Sequence, residues 1–197
     1  GKLTFENSNT TPFLYDYNPE NVTQPKLRDA IVEIAVWSGE TGLASAITSI
    51  FSDDFDAVTA PAGWALWGGI LPERYTGTPH NGLAGIRIRD NPASMSRTIS
   101  TAGYSGVTVS FEMGTQMSAG VFGDAEWSPD GGTTWTLLKR ITSGDPEDDN
   151  DLHPFTFILP AGADNNPAFS LRFAVKGPAN AGDKMYVENV EVGGIAD

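Results

Sequence analysis

Four aromatic side chains stand where they could form a platform for sugar rings. Trp64, Trp67 and Tyr75 lie in one Gly-rich stretch, and Tyr104 caps a turn. A large aromatic ring offers an apolar face, and Trp and Tyr also carry a polar atom at one end. These side chains are therefore candidates for carbohydrate binding. In the alternative interpretation, Trp64 belongs to the core and Trp67 is half-buried.

The residues that carry most enzymatic chemistry lack suitable partners. His80 and His153 lie in Pro-flanked loops, and neither has a His or Cys neighbour at metal-ligand spacing. No G-x-S-x-G nucleophile elbow is present. Glu188 and Glu191 are three positions apart and face opposite sides of a strand, whereas the two carboxylates of a glycosidase flank one bond. The sequence therefore predicts a chain that is not an enzyme.

Residues 128–135 fit the pattern S-x-D-x-G-x-T-W, known as the Asp box. We expect a structural hairpin turn, because Asp130 can accept hydrogen bonds from backbone N–H groups of the turn and glycine adopts positive φ freely. Trp135 is expected to fold back as an apolar plug, with Trp127 near it across the hairpin. The motif residues are Ser128, Asp130, Gly132, Thr134 and Trp135.

Short strands must position these residues. Residues 107–113 alternate cleanly, with Val107, Val109, Phe111 and Met113 on one face. Similar stretches recur roughly every 10–18 residues from Asp53 onward, separated by Gly, Pro, Asn and Asp turns. The pattern predicts an all-β fold, an antiparallel β-sandwich of jelly-roll type over residues 52–197. The predicted strands start at Phe55 and continue at 64–67, 85–89, 96–99, 107–113, 120–127, 134–141, 155–159, 169–175 and 185–192.

Residues 1–51 are interpreted as an N-terminal arm that contributes strands or serves as a linker. Residues 27–37 are β-branched and favour a strand, while 43–51 suit a helical turn or a strand. Donated to the open sheet edge of a neighbouring molecule, the arm would pair its backbone. Head-to-tail donation does not close on itself and would build a fibre. The apolar residues for this self-association are Phe5, Phe13, Leu14, Tyr15 and Tyr17.

Charge and composition narrow the function further. The chain has 197 residues, no Cys, and a net charge of −13 from 25 acidic and 12 basic residues. Nucleic-acid binding requires clusters of Lys and Arg, so no nucleic-acid partner is expected. No stretch approaches the ~18 apolar residues of a membrane span. The absence of Cys is compatible with the bacterial or archaeal exterior and with the cytoplasm.

The order of the landmarks resembles the jelly-roll modules of reelin-type repeats and the related bacterial adhesin and MAM-like modules. Residues 52–56 (SDDFD) precede Gly63-Trp64, the Asp-box hairpin follows, and residues 186–190 (YVENV) close the chain. The resemblance covers about residues 52–194 and is strongest over 126–138. It implies a secreted or cell-surface module for binding, adhesion or assembly, without catalysis.

Modules of this kind often hold one structural Ca²⁺ between the first and last strands. Carboxylates suit the roughly six to eight oxygen ligands of Ca²⁺. The closing pair Glu188-Asn189 departs from the family, which usually has Asp-Asp or Asp-Asn, and adjacent strand residues face opposite sides. The matching residues are Asp53, Asp54, Asp56, Asp183, Glu188 and Asn189.

Two functions from different classes remain open at this point. One is an extracellular, non-catalytic binding or adhesion module, with a glycan or a protein as its ligand. The other is a structural subunit of an extracellular filament or surface layer, assembled by donation of the N-terminal strand. The first depends on the exposed aromatic residues, and the second depends on the arm.

Overall fold

The structure is a computed structural model that describes residues 46–89, 93–178 and 182–197, with the backbone of 4–5 and 13–14. The chain divides into two compact units, Gly1–Ala46 and Ile47–Asp197. In the first unit, β1 (Thr4–Phe5) pairs antiparallel with β2 (Phe13–Leu14). The strand predicted within residues 27–37, and the arm residues Tyr15 and Tyr17, lie outside the described residues.

The second unit is a sandwich of two antiparallel sheets. Its elements are β3 (Thr48–Asp53), β4 (Ala65–Gly68), β5 (Glu73–Tyr75), β6 (Gly85–Arg89), β7 (Ala93–Thr98), β8 (Tyr104–Gln116), β9 (Phe122–Ser128), β10 (Thr136–Thr142), β11 (His153–Ile158), the 3₁₀ turn η1 (Ala161–Ala163), β12 (Ser170–Lys176) and β13 (Lys184–Ala196). Sheet I has the order β10-β9-β12-β7-β4, and sheet II has the order β11-β8-β13-β6-β5, with β3 also paired to β13. The predicted antiparallel β-sandwich is confirmed.

Alternation along the strands places the core between the two sheets. In β8, Val107, Val109 and Phe111 are buried while the residues between them are partly exposed. In β12, Leu171 and Phe173 point the same way and are almost completely buried. Because side chains alternate with a period of two, each strand contributes one face to the core and leaves the other face free.

Aromatic rings tie the two sheets together at the centre of this core. The ring centroids of Phe111 in β8 and Phe173 in β12 lie 5.1 Å apart in an edge-to-face arrangement. Trp64 packs against Phe173 at 6.0 Å and against Phe51 at 6.1 Å. Such pairs stabilise a fold by more than their buried area alone, because the electron-rich face of one ring meets the positive edge of another.

The last strand, β13, organises sheet II. Along one edge it pairs with β8 over most of its length. Along the other edge it pairs first with β6 and then with β3, which begins at Thr48, before the predicted arm boundary at residue 51. The pairing with β8 is interrupted between Glu188 and Glu191, where Asn189 adopts a positive φ of 50°. This bulge separates the part of β13 that pairs with β6 from the part that pairs with β3.

The strand predicted to start at Phe55 is a buried turn instead. Asp53 accepts a hydrogen bond from the backbone N–H of Phe55 at 3.0 Å, which is the Asx-turn arrangement. Phe55 takes a φ of 59° and is completely buried. Burial of the ring compensates for a backbone conformation that is uncommon in residues other than glycine.

Among the described residues, no helix is long and apolar enough to cross a membrane.

Removing the ring of Phe173 should destabilise the sandwich strongly. We expect Phe173→Ala to lower the free energy of unfolding by about 3–5 kcal/mol, because it opens a cavity where Phe111 and Trp64 meet. Chemical denaturation followed by tryptophan fluorescence measures this change. Ile158→Ala is the control: Ile158 is 82% exposed and its truncation should change stability by less than about 0.5 kcal/mol. Similar losses for the two variants would contradict the assigned core.

Candidate functional site

The outer face of sheet I carries an open groove of about 380 Å³. Trp67 of β4 forms one wall and is 60% exposed. Trp135, which follows the turn after β9, forms the opposite wall. Ser94 and Ser96 of β7 and Arg172 of β12 contribute to the floor.

Strand register explains why these residues meet. Trp67 pairs with Ser94, Ser94 pairs with Ala174, and Ala174 pairs with Asp124, so they form one row across the sheet. The next row contains Ser96, Arg172 and Glu126. Since β4 and β12 are two strand spacings apart, the backbone that carries Trp67 lies roughly 10 Å from the strand that carries Arg172.

Two buried carboxylates lie beneath the cations of this face. Asp124 is completely buried and accepts two hydrogen bonds from Arg140, both 2.7 Å long, and one from Lys176 at 3.0 Å. Burial alone would raise the pKa of Asp124, but its hydrogen bonds to Arg140 and Lys176 outweigh that effect and lower the pKa below its ordinary value. Asp124 is therefore ionised across the neutral range and holds both cations in fixed positions.

Glu126, the second buried carboxylate, also pairs with two cations. It accepts hydrogen bonds from Nε of Arg172 at 2.8 Å and from Nζ of Lys176 at 2.7 Å. The guanidinium of Arg172 also lies 4.1 Å from the ring centroid of Trp135, in a cation–π arrangement. Arg172 is thus fixed in the floor by a carboxylate and by an aromatic ring.

The turn that precedes Trp135 is held by its own side chains. Asp130 accepts hydrogen bonds from the backbone N–H of Thr134 at 2.8 Å, from the Thr134 hydroxyl at 2.7 Å and from the Ser128 hydroxyl at 2.7 Å. These bonds, led by that from the Thr134 backbone, lower the pKa of Asp130 from 3.8 to about 2. Gly132 has a φ of 92°, and a Cβ there would lie 3.0 Å from the ring of Trp135. A side chain at Gly132 would therefore displace the wall of the groove.

The predicted proximity of Trp135 and Trp127 across the hairpin is not observed. Trp127 faces the core and stacks with Phe169 at 6.1 Å, and its register partner in β10 is Thr136. Trp135 is only partly buried and packs on the outer face against Arg172. The prediction was wrong because the motif pattern does not define which face of the sheet the last residue covers.

The four predicted platform residues separate into different environments. Trp64 is only 6% exposed, and its Nε1 donates to Asp53 at 2.9 Å, so it belongs to the core and offers no face to a sugar. Tyr75 lies on sheet II, 5.6 Å from Tyr186. Tyr104 begins β8 and is absent from the groove lining. Among these four, Trp67 alone lines the groove.

The predicted calcium ligands near the start of the sandwich support local backbone. Both oxygens of Asp53 accept hydrogen bonds, from Phe55 and Trp64. Asp54 accepts a hydrogen bond from the backbone N–H of Asp56 at 3.1 Å, and Asp56 accepts one from Ala84 at 3.1 Å. These carboxylates therefore hold local turns, the Trp64 side chain and the start of β6 in place.

The other predicted calcium ligands lie along β13. Glu188 is almost completely buried and accepts hydrogen bonds from the backbone N–H groups of Asn81 at 2.7 Å and Gly82 at 3.2 Å. Burial, followed by repulsion from Glu112 directly across the strand pair, raises the pKa of Glu188. Asn189 donates to Glu112 at 3.1 Å.

Asp183 is remote from the rest of the predicted set. It precedes β13 and accepts two hydrogen bonds from Ser118, whereas Glu188 lies five residues further along, roughly 17 Å away. The six residues therefore do not form one coordination sphere. In the parts of the chain that the structure describes, no group of three or more His, Cys, Asp or Glu side chains could hold a metal. Calcium binding stays a prediction.

Sequence reasoning did not identify the ionic floor of the groove. Its signal lies in β12, where polar Ser170, Arg172 and Lys176 alternate with buried apolar residues. That pattern predicts a solvent-facing side, but it does not show that Asp124 and Glu126 of another strand lie beneath these cations.

The chain shares its fold with several solved carbohydrate-binding and adhesin domains. The CBM22-1 xylan-binding domain from Paenibacillus barcinonensis is 13% identical, with a TM-score of 0.52, over 79% of this chain and 99% of that domain. A family 22 carbohydrate-binding module from Clostridium thermocellum is 11% identical, with a TM-score of 0.51, over 75% of this chain and 93% of that module.

An adhesin domain has the same fold. The K1 cleaved adhesin domain of Lys-gingipain from Porphyromonas gingivalis is 15% identical, with a TM-score of 0.52, over 72% of this chain and 96% of that domain. No family model matches the sequence, and no curated protein matches it. At these identities the likeness shows the β-sandwich fold alone, and the resemblance to reelin-type and MAM-like modules stays a prediction.

Replacing the turn carboxylate should change how stability depends on pH. Because folding lowers the pKa of Asp130, its ionised form stabilises the native state above pH 3.8, and this contribution is lost as the pH falls toward about 2. Asp130→Asn should therefore be less stable than the parent at neutral pH, and the difference should shrink toward zero near pH 2. Urea denaturation across this range measures it.

A second variant separates the charge from the hydrogen bonds. Thr134→Val removes the hydroxyl that donates to Asp130 and leaves the carboxylate in place. It should lower stability at neutral pH and retain part of the pH dependence. A stability difference between Asp130→Asn and the parent that stays constant down to pH 2 would contradict the assigned role.

Proposed function

We propose that this protein is a non-catalytic carbohydrate-binding module that holds a polysaccharide chain in the outer groove of sheet I. The observation that carries the proposal is Trp67, an indole 60% exposed at the edge of a floor rich in hydrogen-bonding groups. This arrangement combines an apolar face for a sugar ring with polar partners for its hydroxyls. The module would act outside the cell, as the adhesin and carbohydrate-binding neighbours of the same fold suggest.

The exposure of Trp67 contrasts with the burial of Trp64 and Trp127. These two rings fill the core, where large aromatic side chains contribute most to stability. Trp67 is instead held by β4 at the rim of a concave surface. Aromatic residues that line a concavity beside a few fixed polar groups are typical of ligand sites.

The floor is organised before any ligand arrives. Arg172 and Lys176 are held by Glu126, and Ser94 and Ser96 project from the regular strand β7. Side chains that are already fixed lose little conformational entropy on binding, so more of the interaction energy contributes to affinity. An open groove also suits an extended chain better than a small molecule, since small ligands are usually enclosed.

The carboxylates of the groove are poorly placed for catalysis. Asp124 and Glu126 are buried and paired with cations, and the pKa of Asp124 is lowered, so it cannot supply a proton near neutral pH. A glycosidase needs one carboxyl that is protonated and a second that faces the same bond. The site therefore supports binding without hydrolysis.

The filament alternative has less support. Phe5, Phe13 and Leu14 lie in β1 and β2, whose backbones pair with each other inside the first unit. Tyr15 and Tyr17 lie outside the described residues. Self-association through the arm therefore stays a prediction, and light scattering before and after deletion of residues 1–25 tests it.

Truncating the exposed indole should weaken polysaccharide binding. We expect Trp67→Ala to lower affinity about tenfold or more, because it removes the apolar platform of a small interface. Trp135→Ala should also weaken binding, because Arg172 loses the ring that supports it. Affinity gel electrophoresis against xylan, galactan, glucan, mannan and pectin, followed by calorimetry on the best ligand, measures both effects.

Two variants outside the groove serve as controls. Tyr104→Ala removes a predicted platform residue, and Ile158→Ala removes an exposed side chain of sheet II. Both should bind like the parent. If no polysaccharide retards the parent protein, or if Tyr104→Ala weakens binding as strongly as Trp67→Ala, the groove of sheet I is not the site.

A further inference from the structure

The groove contains a charge pattern that narrows the class of polysaccharide it would hold. Resting on the proposed function, we infer that the groove selects polysaccharides that carry uronic-acid carboxylates, and that Arg172 makes the selective contact. Arg172 lines the groove, lies against the ring of Trp135, and is anchored by Glu126.

The charged side chains that line the groove are cations. Arg172 and Lys176 are among its lining residues, whereas their partners Asp124 and Glu126 are buried beneath them, and no carboxylate of the described residues is part of the lining. The chain as a whole carries a net charge of −13, so most of its surface repels anions, whereas the groove offers them two cationic side chains. The outer face of sheet I is therefore the place where an anionic ligand meets complementary charge.

The geometry of Arg172 leaves one end of its guanidinium for a ligand. Nε donates to Oε2 of Glu126 at 2.8 Å, and Nη2 lies 2.7 Å from the same oxygen. Nη1 has no hydrogen-bond partner among the described residues. A guanidinium carries five N–H donors in a planar fork, so a carboxylate in the groove can engage the unused side.

Lys176 adds a second donor beside it. Its ammonium group has three N–H donors, and two of them are used by Asp124 and Glu126. The third is available to the same ligand carboxylate or to a neighbouring hydroxyl. Lys176 and Arg172 are separated by Ala174, whose small side chain leaves the floor open between them.

The packing of Trp135 indicates that Trp135 and Trp67 have different roles in the groove. Its ring lies so close to Gly132 that a Cβ there would be 3.0 Å away, and the guanidinium of Arg172 lies 4.1 Å from its centroid. The ring therefore acts mainly as a support for the cation, while Trp67 remains the free platform for a sugar. A bound chain would place an apolar ring face on Trp67 and a uronate carboxylate at Arg172.

The test compares two forms of one backbone. Polygalacturonate and its fully methyl-esterified form differ in whether the carboxylate is charged, and calorimetry measures the affinity of the parent protein for each. We expect the acidic form to bind about tenfold or more tightly, because charge-assisted hydrogen bonds are stronger than neutral ones. The preference should decline as NaCl rises from about 0.05 to about 0.5 M, because salt screens partly exposed charges.

Charge-matched variants assign the effect to Arg172. Arg172→Gln should remove most of the preference for the acidic form, and its affinity for the esterified form should fall by a smaller factor than its affinity for the acidic form. Lys184→Gln removes one cation from sheet II, outside the groove, and should bind like the parent. If Arg172→Gln does not fold, Arg172→Lys retains the charge but lacks the planar fork and should reduce the preference without abolishing it.

The possible outcomes separate this inference from the proposed function. Equal binding of the acidic and esterified forms, or of dextran sulfate and polygalacturonate, would overturn the uronate selectivity and leave a polysaccharide-binding groove. A preference that is undiminished in Arg172→Gln would overturn the role of Arg172. Failure of every polysaccharide to bind the parent would overturn both the inference and the proposed function.

Discussion

The alternation of side chains along β12 links the core of this protein to its groove. Leu171 and Phe173 fill the space between the sheets, while Arg172 and Lys176 point to the outer face. β12 lies between β9 and β7, so its register is held on both edges. A slip of one residue would carry the cations into the core and expose the ring of Phe173. Core packing on one face of β12 therefore fixes the positions of the groove residues on its other face.

The buried carboxylates make this arrangement rigid as well as specific. Asp124 and Glu126 occupy outward-facing positions that water would normally reach, but the side chains above them exclude it. Each carboxylate is paired with two partly exposed cations, so removing one cation leaves a buried charge with fewer partners. The cations are thus strongly held where they lie. Because the cations are already ordered, little conformational entropy is lost when a ligand binds to them, which favours affinity.

Features that depend on neighbouring residues could be predicted from the sequence, whereas features that depend on contacts between distant strands could not. The period-two pattern of residues 107–113 correctly predicted a half-buried strand, because burial on one face leaves a local signature. Trp64 and Trp67 look alike in sequence, and only the distant partners Phe173 and Ser94 show that one ring is core and the other is exposed. The ionic floor requires the register between β9 and β12, which no local pattern contains.

The hairpin motif shows how a structural element can shape a site without contacting a ligand. Asp130 closes the turn through Thr134 and Ser128, and the turn presents Gly132 to the ring of Trp135. Trp135 in turn supports the guanidinium of Arg172. Asp130 can therefore have a purely structural role while the groove that it helps to shape binds a ligand. The carboxylate acts on the backbone, and the backbone positions the wall against which the cation is held.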